Sequence, residues 1–250
     1  MSPQTLSVMQ PYFFPYLGYF QLIHKSQLFL LYDLVDFQKR SYMTRNFIVD
    51  RSSQVHSIHI PVEKSAIGTK ICDVTIAENW SGEYMCRKIR TVYSRSLYFE
   101  EVYPCLERIL LNRTLSLSDF NVFGIKQICD LLSISTQVMT SSEIVKNAEQ
   151  LESRLCQTTS APVYCERILF LCDLLKVDTY INPEGGQGLY QKEYFGNKGV
   201  KLLFNFADLT RHRNGENTFK YASIIDVLMI NGIEETKKIL SMSTLGEAEN

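Results

Sequence analysis

The sequence holds a single tryptophan, only four histidines and no excess of charge of either sign. Its 26 lysines and arginines against 27 aspartates and glutamates leave a formal net charge of −1. That balance removes the broad basic field on which counterion-release binding depends, so no stable nucleic-acid partner is expected. The most apolar early stretch, Leu28–Leu31, is far too short to cross a bilayer, and no membrane insertion is expected. Met1–Gln10 lacks the cationic start and apolar core of a signal peptide, which makes the cytoplasm the expected location. The seven cysteines, Cys72, Cys86, Cys105, Cys129, Cys156, Cys165 and Cys172, form no CxxC pair and no Cys/His set at zinc spacing. They read as reduced, buried thiols, and no metal site is expected. His56 and His59, three apart on a strand, would face opposite sides, which removes a shared ligand pair; His212 stands alone. A GxSxG nucleophile elbow, a GxGxxG fingerprint and a GxxxxGK[ST] loop are all missing, and so are internal repeats and low-complexity runs.

What is present is an alternation of strand and helix. Leu6–Met9 reads as a strand, Gly18–Lys25 as a short helix with Leu17, Phe20 and Ile23 inward, and Leu28–Tyr32 as a buried parallel strand. Strictly alternating residues from Val55 to Val62 indicate a β-rich insertion between Phe37 and Ile76. Helical spacing follows over Gly82–Ser94, Phe99–Leu111 and Asp119–Leu132, the last with Ser116 or Ser118 as cap. Thr136–Thr140, Asp178–Asn182 and Val200–Phe206 read as strands and Glu166–Leu175 as an apolar helix. Two closing helices, Ala222–Ile230 and Ile233–Leu240, are broken by Asn231-Gly232. The fold class is α/β: a doubly wound, mostly parallel sheet with a β-rich insertion and a helical C-terminal half. Residues 1–240 form one domain, and 241–250 are expected to fray.

In doubly wound sheets ligands sit beyond the carboxyl ends of the strands, which singles out three loops. Gln10–Gly18 is rigid and aromatic, and its tyrosines offer a flat face with a hydroxyl, as sugar or base binding requires. Asp33–Ser41, continuing to Thr44-Arg45-Asn46, gathers Asp33, Asp36, Gln38, Lys39, Arg40 and Arg45; the cations suit phosphate oxygens and Asp33 suits a base. In Tyr180–Tyr190, Asn182, Gly185, Gly186 and Tyr190 frame a turn whose glycines let backbone amides approach a ligand. His24, on the first helix, is a candidate acid or base.

Taken together these landmarks resemble the WbqC-like family of bacterial surface-polysaccharide gene clusters. The resemblance rests on Met9–Ile23, Tyr32-Asp33, Phe37–Ser41, Arg45-Asn46, Ile60-Pro61-Val62 and Trp80. It extends through the Tyr180–Tyr190 loop to Ser223–Asp226 and Asn231-Gly232. Two positions depart from the family pattern: Tyr84 and Met85 stand where a histidine usually follows the tryptophan, and Leu97 replaces a proline. The resemblance implies a role in O-antigen assembly, with transfer of a glycyl or related acyl group to the amine of a nucleotide-linked amino sugar. Under that reading Asp33 or Asp226 deprotonates the amine. Lys39, Arg40 and Arg45 hold the pyrophosphate, while Gln10, Tyr12 and Tyr19 position the sugar. Asn182 and the Gly185 and Gly186 amides hold the activated acyl or phosphate group. The expected partners are the nucleotide-linked amino sugar and an activated amino-acid or acyl donor. ATP, a carrier or aminoacyl-tRNA remain open as its source, and so does a homodimer. Glycosyl transfer is the alternative reaction, although Asp33 and Asp36 are one residue too far apart for a DxD metal pair. Nucleotide-sugar binding without catalysis is the third reading.

Overall fold

The computed structural model describes residues 4–145, 163–209 and 222–247. His212 and Cys156 lie outside the described residues. The central sheet has the strands β1 (Thr5–Met9), β2 (Leu28–Leu31), β5 (Gln137–Thr140), β6 (Thr179–Pro183), β7 (Lys201–Phe206) and β8 (Thr244–Gly246), in the order β5-β2-β1-β6-β7-β8. All neighbours are parallel except β7 and β8. A separate antiparallel hairpin, β3 (Arg45–Val49) with β4 (Val55–His59), supplies the insertion read from the alternation. Among its residues Ile48 and Ile58 are fully buried while Val55, Ser57 and His59 are exposed, the two-faced pattern of a half-buried ribbon.

Alternation along the strands sorts the core into two layers. Leu6, Val8, Leu28 and Leu30 face α6 (Val163–Leu175), packing with Cys165, Ile168, Leu171 and Cys172. Phe29, Leu31 and Ile181 face the other way, toward α1 (Leu17–Lys25) and α8 (Ile224–Leu240). Beyond them lie α2 (Gly82–Tyr93), α3 (Phe99–Leu110) and α4 (Leu117–Leu131). Ser81 and Ser116 start α2 and α4 by accepting the N–H of Tyr84 and Asp119, so Ser116 is the cap of the fourth helix. Thr140 and Glu143 form a reciprocal capping box at α5 (Ser141–Ile144). The expected break in α8 falls at Gly232, whose φ of 73° and ψ of 179° put it in a region open essentially to glycine alone.

Two features differ from the sequence reading. Thr244–Gly246, in the stretch expected to fray, pairs antiparallel with Phe204–Phe206 and covers the free edge of β7. The glycine loop after β6 is a 3-10 turn over Glu184–Leu189, followed by α7 (Lys192–Gly196). No helix among the described residues is long and apolar enough to cross a membrane.

The chain winds outward from β1 through β2 to β5, then returns to β6 on the other side of β1, so the strand order reverses between β1 and β6. The two strands pair only at Thr5–Thr179 and Leu6–Tyr180. By contrast β1 stays in register with β2 up to Met9–Leu31, and β6 with β7 up to Pro183–Asn205. The sheet therefore parts toward its carboxyl rim at the reversal, the place where doubly wound sheets take their ligands. The Ser7 hydroxyl, 2.8 Å from the Ile181 carbonyl, bridges the base of the parting.

Candidate functional site

The first loop leaves β1 at Gln10 and must enter α1 at Leu17 through two prolines that carry no N–H. Its carbonyls cannot form a ladder, and side chains from distant elements meet them instead. The Tyr19 hydroxyl donates to the Gln10 carbonyl at 2.8 Å and Asn121 Nδ2 to that of Pro11 at 3.0 Å. Asn46 Nδ2 donates to the carbonyls of Phe13 and Phe14 at 3.1 and 2.6 Å, and the Ser223 hydroxyl to that of Phe14 at 2.9 Å. The Ile224 N–H reaches the Pro15 carbonyl at 2.9 Å. Phe14 itself sits at a φ of 44°, a left-handed conformation that costs a bulky residue on the order of 1–3 kcal/mol. Two donors on its carbonyl and a buried ring hold it there.

The second loop is tied to the first. The Phe13 N–H donates to the Tyr42 carbonyl at 2.8 Å, and Asn121 Nδ2 reaches the Met43 carbonyl, also at 2.8 Å. Between the loops, at the end of β1, lies a cleft of about 280 Å³ lined by Met9, Tyr12, Pro15, Tyr16, Tyr42 and Asn46. The Tyr12 ring is tilted against Tyr19 at 5.7 Å and Tyr42 at 5.8 Å between centroids. Gly18 lets the Tyr16 ring lie on bare backbone: a Cβ there would come within 2.6 Å of Tyr16 Cε2. Burial, with Tyr42 nearby, pushes the Tyr12 phenol above its ordinary value, and burial raises that of Tyr19 well above it. Both are neutral hydroxyls at pH 7.

The candidates divide by position. Gln10 and Tyr12 belong to the cleft region; the Tyr12 hydroxyl touches Gln10 Oε1 only at a long 3.5 Å. Gln38, Lys39 and Arg40 are exposed on the second loop, just before Tyr42, and Arg45 is exposed at the start of β3. Asp36 pairs with Lys70 at 2.9 Å, whereas Lys39, Arg40 and Arg45 make no ion pair among the described residues. Tyr19 and Asn46 are buried, and their polar atoms anchor the loop. Asn46 Oδ1 accepts the Phe47 N–H at 2.8 Å.

Asp33 is 1% exposed, and its two oxygens accept four hydrogen bonds. These come from the Ser141 hydroxyl at 2.7 Å, the Ser142 N–H at 2.9 Å, the Ser142 hydroxyl at 2.6 Å and the Ser118 hydroxyl at 3.1 Å. It joins the ends of β2 and β5 to α4. Asp226 is fully buried, accepting the Val49 N–H at 2.9 Å and the Tyr93 hydroxyl at 2.6 Å; it docks the hairpin and α2 on α8. His24 stands apart from all of these. It borders a groove with Gln4, Leu28 and Gln137 at the amino ends of the strands, the rim opposite the three loops. The helix α1 runs back along the sheet, so its C-terminal turn ends a full sheet height from the first loop.

The third loop shares the carboxyl rim but not the cleft. The Asn182 amide is engaged by the Tyr180 hydroxyl at 2.9 Å and the Pro183 carbonyl at 3.0 Å. Gly186 packs on that amide, where a Cβ would come within 1.9 Å of Asn182 Nδ2. Tyr190 joins Tyr180 and Phe195 in an aromatic cluster on the α6 face of the sheet. Gly185 is exposed, with open space around its Cα.

The residues missed from sequence are the cleft walls Met9 and Tyr42 and the clamps Asn121 and Ser223. Tyr42 carried a signal, a lone large aromatic beside the basic run Lys39-Arg40. Asn121 carried none, being one of several polar residues in an amphipathic helix.

The WbqC-like protein family model matches residues 10–238 of the chain. The uncharacterized protein Rv1507c of Mycobacterium tuberculosis is 29% identical over 166 residues, covering 64% of this chain and 71% of that protein. No solved structure matches the chain significantly. The family match begins at Gln10, stops two residues short of the end of α8 and covers every cleft-lining residue except Met9; the chain belongs to the WbqC-like protein family.

Proposed function

We propose that this protein binds a nucleotide-linked amino sugar at the carboxyl rim of its sheet and transfers an aminoacyl group, glycyl or related, to the sugar amine in surface-polysaccharide assembly. The observation that carries the reading is the tyrosine-lined cleft at the end of β1, bordered by a loop whose cations make no ion pair among the described residues. One ring of the ligand enters the cleft, and Lys39, Arg40 and Arg45 meet the phosphates outside it. Gln10 and the Tyr12 hydroxyl supply neutral hydrogen bonds at the cleft. Asp33, held by three serines, is a positioning residue that fixes where the second loop begins.

The chemistry transfers a carbonyl carbon from an activated donor to the amine nitrogen, with loss of one amine proton and of the donor's leaving group. A thermal-shift screen of the full chain against nucleotide-linked amino sugars tests the binding half. A ligand at ~100 times its dissociation constant stabilises by about 2.7 kcal/mol. Incubation with ATP, glycine and the stabilising sugar then tests turnover, with amide product and AMP as readouts. Absence of any stabilisation across the nucleotide-sugar panel removes the proposal. A second reading, binding without turnover, draws support from the burial of both Asp33 and Asp226 among structural partners; a bound sugar that stays unmodified with every donor favours it.

A further inference from the structure

We infer that the cleft takes the planar base of the nucleotide and not its sugar, with Tyr42 as the outer stacking wall. This rests on the nucleotide-sugar reading and reassigns the part of the ligand that the tyrosines hold. The lining of Met9, Tyr12, Pro15, Tyr16, Tyr42 and Asn46 contains no charged side chain. A pyranose carries hydroxyls around its whole edge, and each one buried without a partner loses its hydration with nothing in return. The single amide in the cleft cannot serve them, and beside it the lining offers only tyrosine hydroxyls. Asn46 already donates to two carbonyls and accepts one N–H, all within 3.1 Å.

A base makes the opposite demand. It offers two apolar faces and a few edge groups, and an aromatic side chain stacks on those faces whatever the base. Tyr42 is 43% exposed while its carbonyl is fixed by the Phe13 N–H, which leaves an anchored backbone carrying a ring with an open face. The Tyr12 hydroxyl, only 3.5 Å from Gln10 Oε1, and the Gln10 amide are the edge-reading groups. At about 280 Å³ the cleft holds one ring system and not a whole nucleotide sugar, since sites for drug-sized ligands start near ~300 Å³. The remainder of the ligand must leave past Tyr42. Lys39, Arg40 and Arg45 are exposed and lie within three residues of Tyr42 along the chain, and they are the groups assigned to the diphosphate that follows the base.

The test is calorimetric titration of the full chain with a panel of probes. These are the five common nucleoside diphosphates, ribose 5-phosphate, inorganic pyrophosphate, glucosamine 1-phosphate and UDP-N-acetylglucosamine. The expected result is that at least one nucleoside diphosphate binds at least tenfold more tightly than ribose 5-phosphate, pyrophosphate or glucosamine 1-phosphate. Tyr42→Ala then weakens that nucleotide tenfold or more and Tyr42→Phe by less than threefold, because stacking needs the ring and not its hydroxyl. Unchanged melting of both variants without ligand confirms that they fold. If glucosamine 1-phosphate binds as tightly as the nucleotides and is the probe weakened by Tyr42→Ala, the cleft is a sugar site; the inference fails and the proposed function stands. If none of the nucleotides or nucleotide sugars binds, both fail.

Discussion

Asn46 is the side chain on which the geometry of the first loop depends, and Asn46→Ala measures that dependence. The substitution removes the donors to the Phe13 and Phe14 carbonyls and the acceptor of the Phe47 N–H. Phe14 keeps the Ser223 hydroxyl, so two backbone groups lose the hydrogen bond described for them. At about 1–3 kcal/mol for each buried polar group left unmatched, with Phe47 half-buried and partly rescued by water, the loss is about 3 kcal/mol. For a chain of this size that is a fall in Tm of roughly 6–12 °C. Urea unfolding reads it as a lower midpoint at unchanged slope. Asn46→Asp separates the clamp from mere packing. The introduced carboxylate keeps the Phe47 contact but points an oxygen at two carbonyls. Its ionised form is thereby disfavoured, and its folded pKa rises above the unfolded value of about 3.9. Its penalty is then greatest at neutral pH and shrinks as pH falls through the folded value. A loss below ~0.5 kcal/mol for Asn46→Ala, the range of neutral surface changes, would refute the clamp, and so would a pH-independent deficit for Asn46→Asp.

Three further outcomes are expected. Gly232→Ala forces a Cβ to within 2.5 Å of Tyr98 Cδ1 at a backbone conformation reserved for glycine, and should cost at least ~2 kcal/mol in urea unfolding; a neutral result would show that α8 can straighten. Hydrogen bonds from His56, Ser52 and Gln54 hold the Asp50 carboxyl well below the usual carboxylate range. The stability this gives is present above the unfolded pKa of about 3.9 and is lost as pH falls through the lower folded value, so the Tm gap between wild type and Asp50→Asn should close on acidification. Burial pushes the Cys129 and Cys172 thiols up to about 12 and Cys72 up to about 11, so native protein at pH 8 should alkylate at these positions at least tenfold more slowly than urea-unfolded protein; peptide mapping that finds Cys172 modified at equal rates contradicts its burial.

The strands and helices were legible because their patterns are local. The exposed-buried alternation of Val55–Ile60 and the break at Asn231-Gly232 each follow from neighbouring residues. Thr244–Gly246 was not legible: three small or exposed residues become a strand only because β7 presents an edge to them. The site was half legible for the same reason. Its loops could be located from the strand–helix alternation, but the direction of each side chain depends on contacts far away in sequence. Helical spacing put Leu17, Phe20 and Ile23 inward on α1, yet Tyr19 and Gln21 are fully buried as well. The far side of that helix is covered by α8, where Gln21 Nε2 reaches the Ile239 carbonyl at 3.0 Å. A tyrosine that looked ligand-facing is thus a strut. Asp33 read as a candidate base; its partners Ser118, Ser141 and Ser142 were not legible because they lie 85 to 109 residues away.

The same contacts decide which residues remain available to a ligand. A loop with prolines at Pro11 and Pro15 has fewer N–H groups to offer its own carbonyls, and side chains from distant elements meet them. Asn46, Asn121, Ser223 and Tyr19 are used up by that demand, and Asp33 and Asp226 by the equivalent task of docking the second loop and the hairpin. The asparagines and aspartates that a sequence reading favours for chemistry are therefore the ones the fold consumes. What lines or borders the cleft is aromatic and cationic: the rings of Tyr12 and Tyr42, and the ends of Lys39, Arg40 and Arg45, which make no ion pair among the described residues. Selectivity in such a site comes from stacking and from phosphate charge. Substitutions at the clamps should alter stability and affinity together, whereas substitutions at the rings and cations should alter affinity alone.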